Sequence, residues 1–227
     1  MFFLTLIFSC FKILSLAKLC IFFQCVLAVK ISVYYECLCP DSIAFIRDQL
    51  HPNYQTFGDK LIKLELIPYG FAKEHIENGT KTFTCQHGPK ECYGNEVHGC
   101  VINEVSIDKS ENFIFCAENG TPPSSKDILK SCAEQQEISW ASLQKCALSE
   151  QGADIMSKNG KKTKELNPTF IPTIVFNDVL NIDDTNKSIT DLKSVICKYL
   201  ENKPEQCQSL KRLSDDSQIV PHVTQIV

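Results

Sequence analysis

Cys39 stands where a β-branched, aromatic run, Val29-Lys30-Ile31-Ser32-Val33-Tyr34-Tyr35, gives way to a helical pattern carrying Ile43, Phe45, Ile46 and Leu50. A thiolate, not a thiol, attacks a disulfide, and a helix N-terminus offers unpaired N–H groups and a partial positive charge that stabilise it. Pro40 at the first helical position and Asp41 in the first turn suit such a start, so Cys39 falls at or beside the N-cap. The competing reading, a structural half-cystine, has less support, because this setting is the one that activates thiols.

A two-cysteine centre resolves its mixed disulfide with a second thiol three residues on. That position is Ser42. Its hydroxyl can hydrogen-bond a thiolate or serve the first helical turn, but it cannot close an internal disulfide. Cys37 puts another sulfur two residues upstream, on the same face if the strand continues. It is a candidate alternative resolving thiol, though a bridge over so short a spacing strains disulfide geometry, and a buried apolar role is the simpler one. Pro172, in Ile171-Pro172-Thr173, cannot donate to a strand ladder, which predicts a strand start, an edge or a cis Ile171–Pro172 bond; the cis form is expected here.

The elements that must position these residues follow from pattern. Residues 29–35 form a strand, the segment after Cys39 a helix, and the alternating Lys60 to Ile67 a second strand stopped by Pro68-Tyr69-Gly70, together a βαβ unit. From about 71 to 165 the chain turns polar and cysteine-rich, with amphipathic helix candidates around Ala133 to Leu148 and few strand signals. A strand pattern returns at residues 170–177, and a helix is expected over about Thr190 to Leu200. The stretch 208–227 lacks a core pattern and reads as a disordered tail.

Composition fixes the compartment. Residues 1–28 are apolar apart from Lys12, Lys18 and a few polar positions, and end in small residues, the form of a cleaved signal peptide rather than a membrane span. Of the 13 cysteines, Cys10, Cys20 and Cys25 leave with it and ten remain; the formal charge moves from −4 to −6. An even, high count after a signal means disulfides. Sequons at Asn78, Asn119 and Asn186 agree with glycosylation in the secretory pathway. The acidic balance argues against nucleic acid as a partner, and no later stretch is long and apolar enough to hold the mature chain in a membrane.

One segment is more specific than any of these. Cys85-Gln86-His87-Gly88-Pro89-Lys90-Glu91-Cys92-Tyr93-Gly94-Asn95-Glu96-Val97-His98-Gly99-Cys100 matches the pattern C-Q-H-G-x2-E-C-x2-N-x4-C at every fixed position: Cys85, Gln86, His87, Gly88, Glu91, Cys92, Asn95 and Cys100. It resembles the gamma-interferon-inducible lysosomal thiol reductase family. Tyr34-Tyr35-Glu36, Leu38-Cys39 and Pro68-Tyr69-Gly70 stand where that family has similar residues, and the likeness covers roughly residues 30 to 207. The resemblance implies an α/β fold with a thioredoxin-like core and a disulfide-rich, mainly helical insertion. It also implies reduction of protein disulfides in acidic endolysosomes, with Cys39 matching the nucleophile and Pro172 packing beside it. Ser42 departs from the two-cysteine pattern, as in C-x-x-S forms familiar among invertebrate members, and Cys37 is an addition to it.

Cys85, Cys92, Cys100, His87 and His98 are also zinc-ligand types. They lack the paired C-x2-C loops of structural zinc sites, so disulfides are the better account and neither a metal nor another cofactor is expected. Setting Cys37 and Cys39 aside, eight cysteines allow 105 pairings, of which the local Cys132–Cys146 and Cys197–Cys207 are favoured, each contributing about 2–4 kcal/mol. Two functions follow. One is a thiol–disulfide oxidoreductase acting on disulfide-containing proteins, with a small-molecule thiol as reductant; the other is a catalytically weak, secreted peptide- or protein-binding member that lacks a resolving cysteine. The expected location is secreted or lysosomal.

Overall fold

The computed structural model describes residues 28–201 and 203–208. Residues 1–27, where a signal peptide is expected, and residues 209–227, the expected tail, lie outside the described residues. Strand β1 (Val29–Tyr35) is central in a three-stranded sheet of order β2-β1-β5. It pairs in parallel with β2 (Ile62–Pro68), Val29 opposite Ile62 and Tyr35 opposite Pro68, and antiparallel with β5 (Thr173–Phe176), Val33 opposite Ile174. Ile31, Val33 and Tyr35, which alternate onto one face of this central strand, are wholly buried, and Ser32 on the other face is buried too.

After a turn over residues 36–39, the β1–β2 connection is mostly helical: α1 (Pro40–Phe45), a π-helical turn over Ile46–Leu50, and α2 (His51–Leu61), which is kinked at Gly58 (φ 68°). The helix therefore runs up to the strand, and β2 begins at Ile62 rather than at Lys60. Between β2 and β5 come the hairpin β3 (Lys73–Glu77) and β4 (Thr80–Thr84), then five helices: α3 (Pro89–Glu104), α4 (Ile107–Glu118), α5 (Lys126–Gln135), α6 (Trp140–Ala147) and α7 (Glu150–Leu166). The insertion is mainly helical, as expected, and the hairpin is the strand that its few strand signals did not locate. Its signal was Asn78-Gly79, both with positive φ (50° and 79°), the residue pair that a two-residue hairpin turn selects. As a sequon the same pair was read only for its carbohydrate. The amphipathic candidates expected around Ala133 to Leu148 fall on two helices, α5 and α6, separated where Glu137 takes φ 54° and Ser139 caps α6 by accepting the Ser142 N–H.

The last helical span, α8 (Ile182–Tyr199), is broken at Asp191 (φ −152°, ψ 62°); its second part answers to the helix expected from about Thr190, and its first part, from Ile182, was not expected. Asn181 caps it by accepting the Asp184 N–H at 3.0 Å, and Thr185 and Ser188 are buried in its first turns, where an apolar-spacing argument does not look.

Among the described residues, four disulfides close loops or join helices. Cys85–Cys92 closes the loop into α3, Cys100–Cys146 joins α3 to α6, Cys116–Cys132 joins α4 to α5, and Cys197–Cys207 holds the end of α8. The expected Cys132–Cys146 bridge is therefore wrong. Those two residues are close in sequence, but α5 turns Cys132 towards α4, Cα–Cα 5.7 Å from Cys116, and α6 turns Cys146 towards α3, 6.1 Å from Cys100. Sequence proximity yields here to which helix face meets which. No helix among the described residues is long and apolar enough to cross a membrane.

Candidate functional site

Beyond Tyr35 the chain leaves the sheet, turns through Cys37 and Leu38, and enters α1 with Cys39 as N-cap in an extended conformation (φ −71°, ψ 121°). The turn is closed by the Cys39 N–H donating to the Glu36 carbonyl at 3.3 Å, and the helix by the Ile43 N–H donating to the Cys39 carbonyl at 3.0 Å. Pro40 and Asp41 occupy the first helical positions, Asp41 at the positive end of the dipole. The Cys39 thiol, 9% exposed, points at the Ile171 carbonyl, Sγ to O 3.7 Å. Ile171–Pro172 is cis, and Pro172 is buried beside the start of β5. Two segments 132 residues apart thus meet at one sulfur.

Ser42 is completely buried, and its Oγ accepts the Glu36 N–H at 3.3 Å. The hydroxyl at the resolving position therefore closes the strand-to-helix turn. Cys37 has different neighbours from Cys39. Residues 37 and 38 form a turn, so the same-face argument from strand alternation does not apply. The Cys37 N–H donates to Asn95 Oδ1 at 3.0 Å and its thiol to the Glu91 carbonyl at 3.4 Å, both on α3. Burial, then the nearby Glu118 and Glu91 charges, push this thiol well above its ordinary pKa, which holds it as S–H. Neither Cys37 nor Cys39 is in a disulfide.

Residues 30–136 match the model of the family described as gamma interferon inducible lysosomal thiol reductase, GILT. A goldfish (Carassius auratus) protein of that name is 34% identical over 193 residues, 81% of this chain and 74% of the relative. GILT-like protein 1 of Drosophila melanogaster is 30% identical over 208 residues, 82% of this chain and 83% of the relative. The chain belongs to the GILT family. Among solved structures it is similar to oxidised BdbD from Bacillus subtilis, with a TM-score of 0.53 at 18% identity over 76% of this chain and 92% of that one. At that identity the likeness speaks for the fold, a thioredoxin-like core with a mostly helical remainder.

The GILT signature has a structural role that its sequence conceals. Gly88 is the N-cap of α3 at φ +85°, a left-handed conformation that favours glycine. Cys85 and Cys92 are bridged across it. The His87 N–H donates to Glu91 Oε1 at 3.0 Å, and the His87 ring lies against Glu91 Oε2 and Glu36. Glu91 and Asn95 then grip Cys37, and Cys100 anchors the helix to α6. Gln86 is exposed. With Cys85, Cys92 and Cys100 all in disulfides, the cysteine–histidine zinc set considered from the sequence does not assemble.

Residues to which sequence reading gave no role at the site complete the frame. Glu36, wholly buried, accepts the Phe71 N–H at 2.6 Å, and Gly70, at φ +58°, leaves the space its side chain fills: a Cβ there would come within 2.1 Å of Glu36 Cγ. Burial, reinforced by the Glu91 charge, raises the Glu36 carboxyl to about 7. His98, also wholly buried, meets the Tyr35 hydroxyl at 3.1 Å and the Ser124 hydroxyl at 3.2 Å, and Ser124 in turn donates to Glu118 at 3.3 Å. These polar groups lay in segments whose apolar pattern was weak, so only their contacts reveal them. Asn78, Asn119 and Asn186 are exposed, but Ser188 of the third sequon is buried within α8.

Proposed function

We propose that this GILT family member reduces protein disulfides in an acidic endolysosomal or secreted setting, with Cys39 as the attacking sulfur. The observation that carries this reading is the placement of Cys39 Sγ at the entry of α1 and against the carbonyl that precedes cis Pro172. The backbone flanking Pro172 offers an extended edge for a substrate chain.

The Cys39 thiolate attacks one substrate sulfur, forming a mixed disulfide and releasing the other as thiolate. A small-molecule thiol then attacks the Cys39 sulfur and expels the second substrate thiolate. A second thiol takes the first off as its disulfide and returns Cys39 to the reduced form. One substrate disulfide thus consumes two external thiols, and with Ser42 at the resolving position the first of them has to release the mixed disulfide. We assign Cys37 to packing rather than to resolution, since its thiol is held protonated against α3.

A second reading is favoured by the buried Ser42 hydroxyl, committed to the Glu36 N–H: a binding protein that holds cysteine-containing peptides without turnover. Reduction of insulin at about pH 5 by the natural chain and by Cys39→Ser tests the first; equal rates would sink it. Ser42→Cys separates the two. A rise from near zero identifies a binder, and comparable activity before and after identifies an external-thiol reductase.

A further inference from the structure

Glu36, His87 and Glu91 converge from the end of β1, the loop before α3 and the first turn of that helix. One ligating atom from each lies within 4.8 Å of the others. His87 Nδ1 is 2.5 Å from Glu91 Oε2 and 3.5 Å from Glu36 Oε2. Both carboxylates are buried, whereas the His87 side chain is 36% exposed and opens the cluster to solvent. The independent observation is that Glu36 Oε2 has no hydrogen-bond partner, although Oε1 of the same carboxylate is satisfied by the Phe71 N–H. A buried carboxylate oxygen without a donor is costly, and two buried carboxylates facing one imidazole attract a cation.

We propose that Glu36, His87 and Glu91 form a binding site for a divalent cation of the zinc type. Two carboxylate oxygens and one imidazole nitrogen are an ordinary three-ligand set for that ion, with water completing the sphere on the exposed His87 side. Ligand atoms around a tetrahedral ion at 2.0–2.1 Å stand about 3.3 Å apart. His87 and Glu91 therefore have to part by under about 1 Å, and the proton they share leaves to solvent as the ion enters. His87 then ligates through Nδ1 and keeps its remaining proton on Nε2. The site uses none of the signature cysteines and departs from the expectation of a metal-free chain. It does not depend on the redox reading, since it fastens the strand end to α3 whether or not Cys39 turns over.

The test uses full-length chain carrying Cys39→Ser, so that no reactive thiol competes, freed of metal with chelator and titrated calorimetrically with Zn²⁺ at about pH 7.5. One ion per chain is expected, with affinity reduced at least tenfold by His87→Gln and by Glu36→Gln. No stoichiometric binding, or unchanged affinity in both variants, would overturn the site. Because Glu36→Gln alters a buried group and risks the fold, X-ray absorption of the zinc-loaded Cys39→Ser chain gives a second reading without it. A sphere of nitrogen and oxygen alone, including imidazole, supports the proposal; a sulfur ligand at about 2.3 Å refutes it.

Discussion

The Cys37 N–H donates to Asn95 Oδ1 at 3.0 Å, joining the turn that carries the candidate nucleophile to the helix that carries the GILT signature. Asn95 is wholly buried. Asn95→Ala leaves a buried N–H without an acceptor, and a loss of about 1–3 kcal/mol in urea unfolding is expected. Insulin reduction should fall in parallel, because the turn that sets Cys39 loses its tether. A variant as stable and active as the natural chain would show the bond to be dispensable.

Gly94 lies against the same cysteine. A Cβ at residue 94 would stand 2.4 Å from Cys37 Sγ, so Gly94→Ala is expected to destabilise the chain by about 1–3 kcal/mol through overpacking. Adding Cys37→Ala removes the obstructing sulfur and should recover most of that loss in a double-mutant cycle. Cys37→Ala alone is expected to leave reductase activity within about twofold, since the sulfur fills space and its hydrogen bond is the only one it makes to α3 through the side chain. A tenfold drop in rate would instead return Cys37 to the chemistry.

His98 sets a pH dependence. Burial holds it down to about 3, against an ordinary value near 6.5, so the folded chain refuses a proton that the unfolded chain takes below pH 6.5. Its stabilising contribution is complete above pH 6.5 and is lost as pH falls from there towards 3. Glu118 works in the opposite sense: burial raises its carboxyl, so its contribution is present at low pH and is lost as pH rises through the folded value. His98→Gln removes only the first effect. The stability cost of this substitution should be smaller at pH 5 than at pH 7 by roughly 2 kcal/mol, about 1.4 for each pH unit below 6.5. Equal cost at both pH values in chemical denaturation would mean that His98 titrates normally.

The disulfides are expected to contribute unequally. In the chain-entropy account, closing the 46-residue separation of Cys100–Cys146 stabilises by about 4 kcal/mol, against about 2.5 for the 7-residue separation of Cys85–Cys92. Paired alanine substitutions, compared by thermal unfolding, should show that order. The reverse order would mean that Cys85–Cys92 acts chiefly by holding His87 and Glu91 in the folded state.

From the sequence alone, the local features could be read. The β1-Cys39-Pro40 junction, the βαβ start and the eight fixed signature residues depend on neighbours a few positions apart, and periodicity, capping and spacing report such neighbours. The helix start at Ile182 and the hairpin at Asn78-Gly79 were also local, but their signals were a cap and a turn rather than an apolar pattern. What only the tertiary structure decided were relationships across long separations. Cys37 faces α3 and not Cys39, Cys132 pairs with Cys116, and Glu36 meets His87 and Glu91. Each depends on which helix face packs against which, and spacing along a chain carries no record of that.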